Sequence, residues 1–270
     1  MLEARNIDYE TREAEGVWLL SVPAPLLRQA YEEINRYASE RGVPRAITEA
    51  AEARPGAIGG AAAYAVILLA AAYCTGRGIL GADWLSIGDL DAGTRREWWR
   101  AVTALTLHLD QEHLLGNLLF GSVAGVAVGR LLGPGLAWAS ILGAAALANY
   151  AEALIAPSTH RAVGASTAVF AALGLLTGMA WRQRFNLRER LWYRWAPLIA
   201  GLCLLTLLGA GNARVDVLGH ALGFLFGTAA GWLHSRIGAA AKSGRRVQIV
   251  LGAGAVVLIV VAWFLALSHR

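Results

Sequence analysis

AVGASTAVFAALGLLTGMAW, residues 162–181, has the apolar character of a membrane span, interrupted near its start by a Ser-Thr pair. Ser166 and Thr167 sit inside the run, with Gly164 two residues before the serine. A packing serine is one explanation, because small residues let helices approach closely in lipid. A nucleophile working inside a bilayer is the other. That second reading requires a base and an anion-stabilising site at the same depth, so the rest of the chain decides.

Apolar residues make up 56% of the 270-residue chain and the mean hydropathy is +0.47, which marks a membrane protein rather than a soluble globule. Seven hydrophobic segments are expected, at about 57–75, 110–132, 135–156, 164–182, 196–211, 215–235 and 247–267. In lipid each must satisfy its own backbone hydrogen bonds, and a helix does so. The fold class is therefore an all-α polytopic membrane protein. Cys74 and Cys203 both lie in such segments, so neither a disulfide framework nor a thiolate metal site is expected.

The net charge of +5 is unevenly placed. Arginines crowd RQRFNLRERLWYR (182–194), basic residues recur in HSRIGAAAKSGRR (234–246), and Arg130 follows the second segment. That distribution fits membrane topology, not nucleic-acid binding, and makes the basic side cytoplasmic. The N-terminus is then cytoplasmic and the C-terminus outside. Residues 1–54 form a charged extramembrane segment without a signal peptide, with helices expected over 24–54 and a break near Gly42-Val43-Pro44. The connector 76–109 faces outward, where Trp84, Trp98 and Trp99 suit a headgroup layer.

Polar residues inside the spans share a level. HLDQEHLLGNLLFG opens the second segment with His113 and Asn117, GAST opens the fourth with Ser166, and DVLGHALGFLFG opens the sixth with His220. All three segments run from outside to inside. At about 1.5 Å per residue, Asn117 and His220 fall roughly 7–10 Å below their span starts, with Ser166 slightly shallower. Such a meeting permits acyl transfer. Neutral imidazole is the usual base for a serine, and the oxyanion that forms needs donors aimed at it. Asn117 and His113 supply N–H groups, as does the helix start at Ser166. Asp216 is read as the N-cap of the sixth span rather than a third catalytic member. His108 and His160 are read as interface or loop residues.

Glycine stripes accompany these groups. His113, Asn117, Gly121, Gly125, Gly129 and Gly133 recur every four residues, as do Gly219, Gly223, Gly227 and Gly231. Small residues at that spacing allow close helix contact. A four-residue step drifts about 40° per repeat, so crossed helices are expected.

Taken together these residues resemble the rhomboid family of intramembrane serine proteases, over about residues 57–235. HLDQEHLLGN resembles the family's His-x4-His-x3-Asn pattern, GAS the start of Gly-x-Ser-Gly, and GHALGFLFG the His-x2-Gly-x3-Gly motif. Trp99-Arg100 matches a Trp-Arg pair of the outer first loop, and Phe170 a ring often packed against the catalytic histidine. The resemblance implies a rhomboid-like six-helix core (55–235) plus one additional C-terminal transmembrane helix within 236–270, after the 1–54 segment. It implies a Ser166–His220 dyad with His113 and Asn117 at the oxyanion positions, working without metal or cofactor. Its partners would be transmembrane protein substrates and the lipid bilayer, with the site opening to the outer side of a bacterial inner membrane.

Two departures stand out: Thr167 replaces the glycine after the serine, and Gly129 stands where many members carry an acidic residue. Thr167 keeps an alternative in view, a catalytically inactive rhomboid-like pseudoprotease acting as a binding or quality-control factor. There is neither a His-Glu-x-x-His helix, as in zinc proteases, nor a pair of intramembrane aspartates.

Overall fold

The computed structural model describes residues 2, 5–14, 17–40, 55–79, 83–186, 191–209, 216–236 and 244–269. The chain divides into two compact units, Met1–Glu52 and Ala53–Arg270. In the first, strands β1 (Glu10–Ala14) and β2 (Val17–Ser21) pair antiparallel, with Glu10 opposite Ser21. A 3-10 turn over Ala24–Leu26, begun by Pro23, leads into helix α1 (Leu27–Glu40). Leu2, Ile7 and Ala30 form its small core with Val22 and Leu26. The hairpin is absent from the sequence reading, and the expected break near Gly42-Val43-Pro44 lies outside the described residues.

The second unit is built on helices α2 (Ala57–Arg77), α3 (Trp84–Gly88), α4 (Arg100–Thr103), α5 (Gln111–Leu132), α6 (Pro134–Ile155), α7 (Ser166–Asn186), α8 (Leu191–Gly209), α9 (Val217–His234) and α10 (Arg245–Ser268). Where described, the expected hydrophobic segments overlap α2 and α5–α10, and residues 210–211 and 215 of two of them lie outside the described residues. Four of these helices, α2, α5, α6 and α10, are long and apolar enough to cross a membrane. Their ends are set locally. Asp110 caps α5 by accepting from the His113 N–H at 2.8 Å, and Asp216 caps α9 by accepting from the Gly219 N–H at 2.9 Å. Gly133, at φ +84°, separates α5 from α6, whose first residue is Pro134.

The helices meet in two different ways. On α9, a Cβ at Gly223, Gly227 or Gly231 would run into the carbonyl of Thr167, Ala171 or Leu175 on α7. On α7, one at Gly174 or Gly178 would run into the carbonyl of Phe224 or Thr228 on α9. These two helices touch backbone to backbone. The stripe on α5 is met mostly by side chains: Gly121 faces the Tyr64 ring, Gly125 the Trp138 ring, and Gly129 packs on Ala57. Tyr64 and Trp138 stack on each other at 4.8 Å between ring centroids. Leu105, Val128, Leu132, Ile141 and Leu175 belong to the largest buried cluster, which joins α5, α6 and α7.

Helix α10 is docked at both ends. Gln248 accepts from the Leu136 N–H at 3.0 Å and donates to the Leu132 carbonyl at 2.9 Å, bridging the turn between α5 and α6. Trp263 donates to Thr106 Oγ1 at 3.1 Å and stacks against Trp84 at 4.6 Å. Trp99 lies 4.7 Å from the His269 ring. The connector tryptophans therefore divide. Trp84 and Trp99 are 9% and 8% exposed, packed under α10, while Trp98 is 43% exposed as a headgroup anchor would be. The expectation that all three lie at a lipid surface is corrected for two of them, because α10 supplies an apolar cover.

Candidate active site

The loop before α7 is held from outside. Strands β3 (Leu90–Asp91) and β4 (Arg161–Ala162) pair antiparallel, Leu90 opposite Ala162. Asp89 Oδ1 accepts from Arg100 and from Arg161, each at 2.8 Å. Arg100 also donates to the Ser86 and Asp89 carbonyls, at 3.0 and 3.1 Å. Its hydrogen bonds with Asp89 hold the Arg161 guanidinium above its ordinary value. Thus Arg100, through Asp89, helps fix the strand leading to Ser166.

Gly164 follows, with its N–H donating to the Ala104 carbonyl at 2.9 Å. Its φ of +135° lies where L side chains rarely go, and a Cβ there would also meet His113 Nε2 at 2.7 Å. The same point lies 3.5 Å from Ser166 Oγ. Glycine at 164 therefore leaves one small space bordered by the serine hydroxyl and the His113 ring. Ser166 itself begins α7 and is half-buried.

Asn117 stands one turn below His113 on the same face of α5 and is 6% exposed. Its carbonyl accepts from the Tyr64 hydroxyl at 2.9 Å, while its Nδ2 is buried and donates to no acceptor among the described residues. A buried donor of this kind is uncommon and calls for an explanation. An anion formed during reaction would provide one.

His220, also 6% exposed, lies within the first turns of α9. Its ring packs on Phe170 at 4.4 Å and 35°, and Phe170 is four residues beyond Ser166 on α7. The geometry thus sets the His113 ring and the Ser166 hydroxyl around Gly164, and the His220 ring against Phe170, four residues after Ser166 on α7. Thr167 is buried, and its carbonyl and Cγ2 pack against Gly223 of α9.

His108, read from the sequence as an interface or loop residue, lies against this site. His108 Nε2 accepts from the Ala165 N–H at 3.4 Å, and its ring meets His113 edge-on at 5.0 Å. Burial, aided by the charge of His113, lowers its pKa to about 4, against smaller opposing effects of the Thr106 backbone and Asp110. A neutral ring is what accepting the Ala165 N–H requires. The available signal was position, since His108 is the first histidine of the His-x4-His-x3-Asn spacing. An apolar cavity of about 740 Å³ between α2, α6 and α10 approaches this region through Ala165 and Ala168.

A family model described as "Rhomboid domain" matches residues 95–237, a span that holds His108, His113, Asn117, Ser166 and His220. The chain belongs to the rhomboid family. It is 31% identical over 133 residues to "Rhomboid protease GluP" of Bacillus subtilis (strain 168), covering 48% of this chain and 25% of that protein. It is 30% identical over 140 residues to "Rhomboid-like protease 2" of Toxoplasma gondii, covering 51% and 48%. With "Rhomboid-like protein 11, chloroplastic" of Arabidopsis thaliana the identity is 32% over 150 residues, covering 52% and 53%. The matched part of this rhomboid chain spans from a quarter to about half the length of these relatives. Its apolar helices and its family make it an integral membrane protein of a protease family.

Proposed function

We propose that this rhomboid chain is an intramembrane serine endopeptidase that cleaves transmembrane segments of other proteins near one membrane surface. Ser166 Oγ attacks the scissile carbonyl while His220 accepts its proton. His113, Asn117 and backbone N–H groups at the start of α7 stabilise the oxyanion, each such donor being worth roughly 3–4 kcal/mol in well-studied serine hydrolases. His220 then protonates the leaving amine, and water hydrolyses the acyl-enzyme by the same route in reverse. In this reading the seven long helices of the second unit are the spans, six forming the core and α10 the addition. Residues 1–54 are an extramembrane segment, 55–235 the protease core, and 236–270 the last loop and span. The arginine-rich loops lie in the cytoplasm, as in a bacterial inner membrane, and the site opens to the opposite side.

The observation that carries the reading is the Phe170–His220 contact, in which an imidazole from α9 packs on a ring of α7 four residues after Ser166. The pseudoprotease alternative rested on Thr167, and the packing of Thr167 Cγ2 toward Gly223 supports the protease reading over it. Purified protein should cut a membrane-protein substrate in detergent or liposomes, and Ser166→Ala and His220→Ala should each abolish the cut. Cleavage retained by either variant contradicts the dyad.

A further inference from the structure

The end of α6 carries a titratable group that the proposed chemistry does not use. Glu152 has a wholly buried side chain. Its Oε1 lies 2.8 Å from His160 Nε2, at the end of the turn that leads into β4. Its Oε2 is buried beside Asp216 and meets no N–H or hydroxyl donor among the described residues. That oxygen is aimed at the cap of α9: a Cβ placed on Gly219 would touch both Glu152 Oε2 and Asp216 Oδ2. Asp216 Oδ1 is already committed to the Gly219 N–H, which leaves Oδ2 facing the cluster. One ligand atom from each of Glu152, His160 and Asp216 lies within 4.8 Å of the other two.

Two carboxyl groups turned toward each other, one of them fully buried, need a cation or a shared proton between them, because an unpaired buried charge costs several kcal/mol. Among the described residues, Arg100 and Arg161 are both engaged on Asp89. An imidazolium at His160 would answer Oε1 and leave Oε2 opposite Asp216. We propose that Glu152, His160 and Asp216 form a binding site for a divalent transition metal of the zinc class. One imidazole nitrogen and two carboxylate oxygens suit that class, with metal–ligand distances of about 2.0–2.2 Å within reach of small side-chain rotations. His160, 28% exposed, provides an opening from outside. The ligands come from α6, from the turn before the Ser166 loop, and from the residue four before His220. A bound ion would therefore tie together the segments that carry the two candidate dyad residues.

Tag-free full-length protein in detergent, stripped with a chelator and dialysed against zinc chloride, tests this directly. The wild type should retain one zinc per chain and unfold at a higher temperature with zinc than without. Glu152→Gln, His160→Ala and Asp216→Asn should each weaken zinc binding by more than about tenfold. Asparagine keeps the cap at 216, so that variant should fold. Calcium should not substitute, since an imidazole is a poor ligand for that hard cation. Absence of stoichiometric zinc in the wild type overturns the proposal, as does equal binding by all three variants. A proton shared by Glu152 and Asp216 would then be the occupant. Ser166→Ala protein should bind zinc as well as the wild type, so failure of the proteolytic reading and failure of this one give different results.

Discussion

The stripes on α5 and α9 have the same spacing in sequence and opposite roles in the fold. Along α9 the glycines meet main-chain carbonyls of α7, which cannot move without moving the helix. Along α5 two of them meet the Tyr64 and Trp138 rings, which can rotate. The helix bearing His220 is thus fixed in register with the helix bearing Ser166. The helix bearing His113 and Asn117 is held by aromatic side chains instead. Backbone contact defines the candidate dyad, and side-chain packing adjusts the candidate oxyanion site around it.

Substitutions at matched positions put this contrast to the test. Gly227→Ala pushes a methyl into the Ala171 carbonyl and should cost about 1–3 kcal/mol or more by overpacking, with loss of any Ser166-dependent cleavage. Thermal unfolding in detergent reads the first effect and a cleavage assay the second. Gly125→Ala meets only the Trp138 ring and should cost about 1 kcal/mol, with cleavage retained. Gly143→Ala on α6 meets nothing within 4 Å and should stay within about 0.5 kcal/mol of the parent. Equal losses at positions 227 and 125 would erase the distinction between the stripes.

The smallest effect concerns pH. His108 is held neutral in the fold, with a pKa lowered from 6.5 to about 4. The unfolded chain therefore binds a proton that the folded chain refuses between those values. Stability from this group is complete above pH 6.5 and is lost as the pH falls toward 4. Unfolding temperatures measured across that window should drop, and His108→Asn should flatten the drop. An unchanged profile would mean that another group governs acid sensitivity.

Much of the second unit was legible from the chain. The apolar segments 57–75 and 247–267 fall on α2 and α10, because lipid leaves helix as the economical way to satisfy a backbone. The spacing of His113 and Asn117 placed them on one face of α5, and Asp216 serves as the cap that its position suggested. Tertiary partners were not legible. No local pattern indicates that Trp84 and Trp99 lie under α10, since burial there depends on a helix more than 140 residues away. The β1–β2 hairpin escaped notice because its charged residues obscure the alternation that marks a strand. Glu152 escaped for a related reason: its partners His160 and Asp216 come from other segments, and only folding collects them.

Central to this account is a serine made nucleophilic by a histidine from another helix. Incubating purified protein in detergent with a mechanism-based serine-hydrolase probe, followed by peptide mapping, measures that property directly. One covalent adduct on Ser166 is predicted, absent when His220 is replaced by alanine. Intact wild-type protein that stays unlabelled, or labelling that survives loss of His220, would contradict it.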